Sequence, residues 1–237
     1  MDLNQELLDL ALKQGISYFG VGDLSLVSRA VVDQGGTGVS EYPYSISLGI
    51  TLLSDIVDKL TFRAERSVAL NYQHHAYNLI NQRLDLAASI ISSFIQSKGY
   101  KVLPVPASER INDEKICAAF SHKLGAYLAG LGWIGKSCLL ITPDDGPRVR
   151  WVSILTNAPV KPTGNKMKVR CGDCRKCVDI CPVQAFIGKN FAENEPREVR
   201  YDATKCEKYF TEMKGDGKLA VCGMCLHICP HGRKQSD

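Results

Sequence analysis

Eight of the ten cysteines fall into two consecutive quartets, and no other feature limits what this chain can fold into so sharply. The first quartet is Cys171, Cys174, Cys177 and Cys181, followed by Pro182; the second is Cys206, Cys222, Cys225 and Cys229, followed by Pro230. Three thiolates in a C-x2-C-x2-C run let a short loop curl around one face of a four-iron cubane, with backbone N–H groups aimed at the sulfides. The fourth cysteine, followed by proline, is carried away from that loop and ligates the other cluster. The spacing therefore predicts two [4Fe-4S] clusters, one held by Cys171, Cys174, Cys177 and Cys229, the other by Cys181, Cys206, Cys222 and Cys225. Cys206 is the irregular member, standing 16 residues before Cys222.

A zinc ribbon also uses C-x2-C pairs, but it needs four thiolates and has no use for Cys177, Cys181 and the two prolines. A disulfide framework belongs to secreted chains, and the start of this one, acidic and helix-forming, does not read as an export signal. The expectation is a ferredoxin-like double [4Fe-4S] module over residues 161–237, appended to an α+β core over residues 1–160, with the boundary in the Pro, Gly and Lys-rich stretch 159–169. No apolar run is long enough to span a bilayer, so the reading is a cytoplasmic protein without a membrane partner.

Hydrophobic residues make up 45% of the 237, enough for an ordinary core. The formal charge of +4 counts the cluster cysteines as neutral. Each oxidised cluster with its four thiolates carries about −2, which brings the loaded protein to roughly zero. Lys161, Lys166, Lys168, Arg170, Arg175 and Lys176 crowd the entrance to the module. They read either as solvated compensation for cluster charge or as a docking face for an acidic, low-potential electron donor such as a flavodoxin or ferredoxin.

Along the chain, residues 2–14 carry helical apolar spacing, 16–21 read as a strand, and the glycine-rich stretch 22–44 as a long loop. Alternation at Ile46, Leu48, Ile50 and Leu52 predicts a half-buried strand. Helices are expected over 75–98 and 113–129, and strands over 101–105, 138–142 and 149–156.

Between the second helix and the next strand lies Gly130, Leu131, Gly132, Trp133, Ile134, Gly135 and Lys136. Its glycines permit close backbone approach to a large flat ligand, and equally suit a plain structural turn. It fits neither the dinucleotide-binding nor the phosphate-loop fingerprint.

The order of this turn, an apolar strand, the segment 153–160 (SILTNAPV), the first quartet, the segment from Tyr201 to Cys206 and the second quartet resembles epoxyqueuosine reductase. That family stands with the reductive dehalogenases as cobalamin-dependent iron–sulfur enzymes, and a lone cysteine occupies the place of Cys206 in it. The resemblance implies a nitroreductase-like mixed core, a base-off cobalamin lined by residues 130–136, and electrons passing from an outer to an inner cluster and on to cobalt. Where the family carries a catalytic aspartate, this chain has Pro106, which has no proton to give. Ser108, Glu109 and Asp113 are close in sequence, and the catalytic acid stays unassigned. The family's helical-repeat extension does not follow Asp237, so tRNA is not the expected substrate, and a small molecule is. No D-x-H-x-x-G motif supplies a lower cobalt ligand from His74, His75, His122, His227 or His231. The rival readings are an electron-transfer protein or corrinoid carrier serving a partner, and FMN in place of the corrinoid.

Overall fold

The computed structural model describes residues 2–193 and 195–233; Met1, Asn194 and the last four residues of the expected module, 234–237, lie outside the described residues. In chain order the elements are α1 (Leu3–Lys13), β1 (Tyr18–Asp23), α2 (Ser28–Gly35), α3 (Thr37–Ser40), β2 (Tyr44–Thr51), α4 (Ser54–Asp58), α5 (Arg66–Tyr72), α6 (Ile80–Ser97), β3 (Val102–Val105), α7 (His122–Leu128), β4 (Trp133–Ile134), β5 (Leu140–Ile141), β6 (Val149–Thr156), α8 (Lys176–Asp179), α9 (Ala203–Gly215) and α10 (Met224–His227). The fold is mixed α/β. The chain forms two compact units, the first from residues 1–50, 80–132 and 150–167, the second from 51–79, 133–149 and 168–237.

The first unit is built on a four-stranded sheet in the order β1-β2-β6-β3. β1 runs antiparallel to β2, with Tyr18 opposite Gly49, and β3 antiparallel to β6, with Val102 opposite Thr156. β2 is buried on both faces rather than half-buried, because Ser45 and Ser47, on the face opposite Ile46, Leu48 and Ile50, are also 0% exposed. Small residues explain the tight cover. α7 packs on β1, and a Cβ at its Gly125 would come within 3.0 Å of Ser47 Oγ and 3.1 Å of Ser45 Oγ. α6 packs on β3 and α1, turning Ile80, Leu84, Ala87, Ile91 and Ile95 inward at helical spacing.

Four further sequence expectations change here. Residues 22–44 are not one loop: they hold α2 and α3, separated by Gly36 at φ 80°, so the glycines divide two helices instead of melting them. The helix expected over 113–129 is only α7. Asn112 accepts the N–H of Lys115 on its side chain at 2.7 Å and bridges to Cys117, which closes 112–117 into a turn, and Ser121 then caps the helix. The helix expected from 75 starts nine residues earlier, at Arg66, and passes through a π-helical stretch, Gln73–Leu79, before continuing as α6. The strand expected over 138–142 is reduced to Leu140–Ile141.

In the second unit, β4 and β5 form a hairpin in which Trp133 faces Ile141 and Ile134 faces Leu140. α10 packs on α4, where His227 shares a hydrogen bond of 3.0 Å with the Val57 carbonyl through Nδ1. Arg148, its side chain 3% exposed, donates to Asp58 Oδ1 at 2.6 Å. No helix among the described residues is long and apolar enough to cross a membrane.

Candidate metal centre

The cysteine-bearing segment is irregular between the short helices α8 and α10 and the longer α9, which carries Cys206, and its thiols fall into two groups. Cys171, Cys174, Cys177 and Cys229 line one cavity together with Lys136, Ser137, Ile141, Lys176, Pro230 and His231. Burial pushes the Cys177 thiol up to about 11, and the charges of Cys171, Cys229 and Cys174 add to the rise. Cys229 is likewise pushed up to about 11 by burial, with Cys171 and Cys174 adding, against a backbone N–H from His231 and the charge of Arg148.

The second group contains Cys181, Cys206, Cys222 and Cys225. Burial raises Cys206, the hydroxyl of Tyr201 lowers it, and the charges of Cys222 and Cys181 raise it further. Cys225 is raised by burial first, then by Cys222, Cys206, Cys177 and Cys181. Burial raises Cys222, against the Met224 backbone N–H and the charge of Arg63, which lower it. Ala185 N–H donates to Cys181 Sγ at 3.3 Å. The fourth cysteine of each run thus lies with the other run's first three. Cys177 is close enough to Cys225 for each group's charge to reach the other.

The donor set fits iron–sulfur clusters. Among the described residues no three or more His, Cys, Asp and Glu converge as a site for a single ion. The four thiols of the first group surround a cavity instead, the arrangement a cubane with four separate irons requires. Thiols held above their ordinary range must lose their protons to the metal, so loading would release protons. Lys136 gives a second indication. It is 7% exposed, and its ammonium donates to the carbonyls of Gly172 at 2.7 Å and Cys174 at 3.2 Å, which suits an anionic group in the cavity it lines.

The glycine-rich turn is divided between the two units, Gly130, Leu131 and Gly132 in the first and Trp133, Ile134, Gly135 and Lys136 in the second. Gly130 takes φ 73°, and a Cβ there would lie 2.8 Å from the Asn165 carbonyl oxygen. A Cβ at Gly135 would collide with the Ile141 side chain and reach 3.4 Å from Cys171 Sγ. Trp133 is 0% exposed, its ring edge-on to His231 at 4.9 Å with Arg170 over it at 5.4 Å. These two glycines are accounted for by neighbouring chain.

Pro106 turns its carbonyl to His122 Nε2 at 3.1 Å, while the Ala107 N–H donates to Asp85 Oδ1 at 2.9 Å. A carbonyl only accepts, so Nε2 carries the proton and Nδ1 accepts from the Ser153 hydroxyl at 3.0 Å. Burial holds His122 down at about 4, with Arg150 and Lys123 lowering it further against the Pro106 carbonyl. Tyr72, 3% exposed, packs edge-on to Tyr77 at 5.6 Å and under Gly223, where a Cβ would lie 3.2 Å from the phenol oxygen. A second cavity, of about 420 Å³, is lined by Asp55, Lys59, Ser67, Asn71, His74 and His75 among others. Sequence reasoning missed Arg63 and the anchoring role of Lys136, since both act on cysteines far away in the chain. The position of Tyr201, five residues before Cys206, was the one available signal for its contact.

Residues 170–232 match the family described as 4Fe-4S double cluster binding domain. The chain is 32% identical over 115 residues to the epoxyqueuosine reductase of Bacillus anthracis, covering 44% of this chain and 28% of that protein. It is 32% identical over 158 residues to the epoxyqueuosine reductase of Prochlorococcus marinus (strain NATL2A), covering 59% and 47%. The chain spans less than half the length of these curated relatives. Among solved structures, an epoxyqueuosine reductase with a tRNA-Tyr epoxyqueuosine-modified stem loop is similar in fold at TM-score 0.63 and 17% identity, over 97% of this chain and 65% of that one. A reductive dehalogenase whose structure suggests a mechanism for B12-dependent dehalogenation is similar at TM-score 0.71 and 19% identity, over 97% and 32%.

Proposed function

We propose that this chain is an oxidoreductase similar to the epoxyqueuosine reductases, carrying two [4Fe-4S] clusters on the crosswise cysteine groups and passing single electrons to a cofactor and a small-molecule substrate. The observation that supports the reading is that Cys229 lines a cavity with Cys171, Cys174 and Cys177, while the charge of Cys181 acts on Cys206 and Cys225. The clusters supply one-electron steps at low potential. The chain's own residues do the rest: Lys136 ties the first cysteine loop to the β4–β5 hairpin, and Tyr72 and Leu60 support the Cys222–Gly223 turn.

Cobalamin is the cofactor we favour, because a B12-dependent dehalogenase shares the fold. The turn at 130–136 is the proposed corrinoid contact on the family resemblance, and the enclosure of Gly130 and Gly135 by neighbouring chain does not itself argue for it. When bound, the corrinoid would supply a strongly reducing metal. The nitroreductase-like description of the core belongs to the same proposal. So does the small-substrate site, for which the 420 Å³ cavity has a suitable size and a lining of one acid, one lysine and two histidines.

The test is an anaerobic absorbance titration with hydroxocobalamin, with FMN run alongside. Stoichiometric cobalamin uptake is expected. No uptake of cobalamin would leave an electron-transfer protein or, with FMN bound, a flavoprotein. Complementation of a queuosine-deficient strain tests tRNA as a substrate, the one reading that the tRNA-bound neighbour favours over a small molecule.

A further inference from the structure

We infer that Lys136 sets the reduction potential of one cluster only, raising that of the cluster on Cys171, Cys174, Cys177 and Cys229 through the fixed positive charge it carries into their cavity. The inference rests on the two-cluster reading above.

The lysine is held at both ends. Its backbone belongs to the loop between β4 and β5, closed by the Gly135 N–H on the Leu139 carbonyl at 2.9 Å and the Cys138 N–H on the Gly135 carbonyl at 2.9 Å. That loop lies against the first cysteine group, since a Cβ at Gly135 would come within 3.4 Å of Cys171 Sγ. The side chain lines the cavity shared by the four cysteines, and its ammonium donates to the carbonyls of Gly172 at 2.7 Å and Cys174 at 3.2 Å. The cysteine loop is closed in turn by the Cys174 N–H on the Cys171 carbonyl at 3.0 Å. The charge therefore has one position relative to these ligands.

Its surroundings leave that charge uncancelled. Lys136 is 7% exposed, and its hydrogen bonds go to carbonyls, which are neutral. Among the described residues it forms no ion pair, unlike the equally buried Arg148, which has Asp58. Lys176 lines the same cavity but is exposed, where water and salt screen it. A buried ammonium without an acid is costly, and a cluster with four thiolates, at about −2, is the anion that offsets the cost.

Reduction by a low-potential one-electron donor takes a [4Fe-4S] core from 2+ to 1+, and the core with its thiolates from about −2 to about −3. No bond in the protein breaks and no proton moves. A fixed positive charge in a poorly screened cavity stabilises the more negative form more strongly, so the potential rises. Cys181, Cys206, Cys222 and Cys225 are not among the residues lining this cavity, and the effect on their cluster is correspondingly smaller.

The experiment is a potentiometric titration followed by electron paramagnetic resonance on anaerobically purified, iron-replete protein. It compares the parent with Lys136→Met, Lys136→Gln, Lys136→Arg and Lys176→Met, and Cys171→Ser marks which signal belongs to the first cluster. In Lys136→Met and Lys136→Gln that cluster's midpoint should fall by about ten-fold in the reduction equilibrium, about 59 mV for one electron. The other midpoint should stay in place. Lys136→Arg keeps the charge and should stay near the parent, and Lys176→Met should move the midpoint less, the more so at high salt. A midpoint unmoved in both uncharged variants, equal movement of both clusters, or a fall in Lys136→Arg as large as in Lys136→Met would overturn the inference. If Lys136→Met loses the first cluster, Lys136→Gln and Lys136→Arg decide, because each keeps a donor for the loop carbonyls and only one keeps the charge. A parent protein that shows a single cluster or none would bring down the two-cluster reading itself, a result readily told apart from unmoved midpoints.

Discussion

The ammonium of Lys136 donates to the Gly172 carbonyl at 2.7 Å, joining the β4–β5 hairpin to the loop that carries Cys171 and Cys174. A buried cation that holds two carbonyls of a cysteine loop organises that loop before metal arrives, which is how residues behind the ligands contribute to metal affinity. Lys136→Met keeps the length of the side chain and removes its donors. The expected result is faster loss of iron to a chelator, on the order of ten-fold, with about half of the iron affected. Loss at the parent rate would show that the lysine does not hold the loop.

The crosswise groups make a prediction that a simple pairing of each run with its own cluster does not. Cys181→Ser should resemble Cys206→Ser in its remaining spectrum, and Cys229→Ser should resemble Cys171→Ser. Iron analysis with Mössbauer spectroscopy of the four variants reads this directly. Similarity of Cys181→Ser to Cys171→Ser would mean that each run keeps its own fourth cysteine.

Arg148 is nearly fully buried and its guanidinium reaches Asp58, which is half exposed. The hydrogen bond from Arg148 is the main reason the Asp58 carboxyl lies below its ordinary range, so the pair contributes stability at neutral pH that is lost as pH falls through the acid range. Asp58→Asn removes the counter-charge and is expected to cost about 1 kcal/mol at pH 7, limited by the exposure of the carboxylate. Anaerobic denaturant midpoints of parent and variant check this, and equal midpoints at pH 7 would contradict it.

The sequence and the structure agree where one local pattern decides the outcome. Such cases are α1 over Leu3–Lys13 and β6 over Val149–Thr156, whose bounds lie within a residue of the periodic runs. They part where a side chain competes with the backbone or a glycine changes role. Asn112 turns the chain inside an apparently helical stretch, and Gly36 ends one helix where density of glycine suggested a loop. The two serines of β2 look like solvent-facing positions, but α7, with Gly125 against them, covers that face. Lys136 reaches the first cysteine loop through tertiary structure, across 36 residues of chain, and nothing in the local pattern signals it.

His122 is held neutral between Ser153 and Pro106, its pKa lowered to about 4 mainly by burial. An unfolded histidine titrates near 6.5, so between those two values the unfolded chain binds a proton that the folded chain refuses, and stability falls as pH drops through that window. The thermal midpoint should therefore decline between pH 7.5 and 5.5, and His122→Asn should decline less. Parallel curves for parent and variant would remove His122 as the cause.

The account as a whole depends on whether the eight thiols hold two clusters. The direct measurement is iron and acid-labile sulfide analysis of anaerobically purified protein, with Mössbauer spectra to identify the iron. About eight irons and eight sulfides per chain, all in [4Fe-4S] form, is the predicted result. One zinc or one cluster per chain, with four thiols free to react, would contradict it.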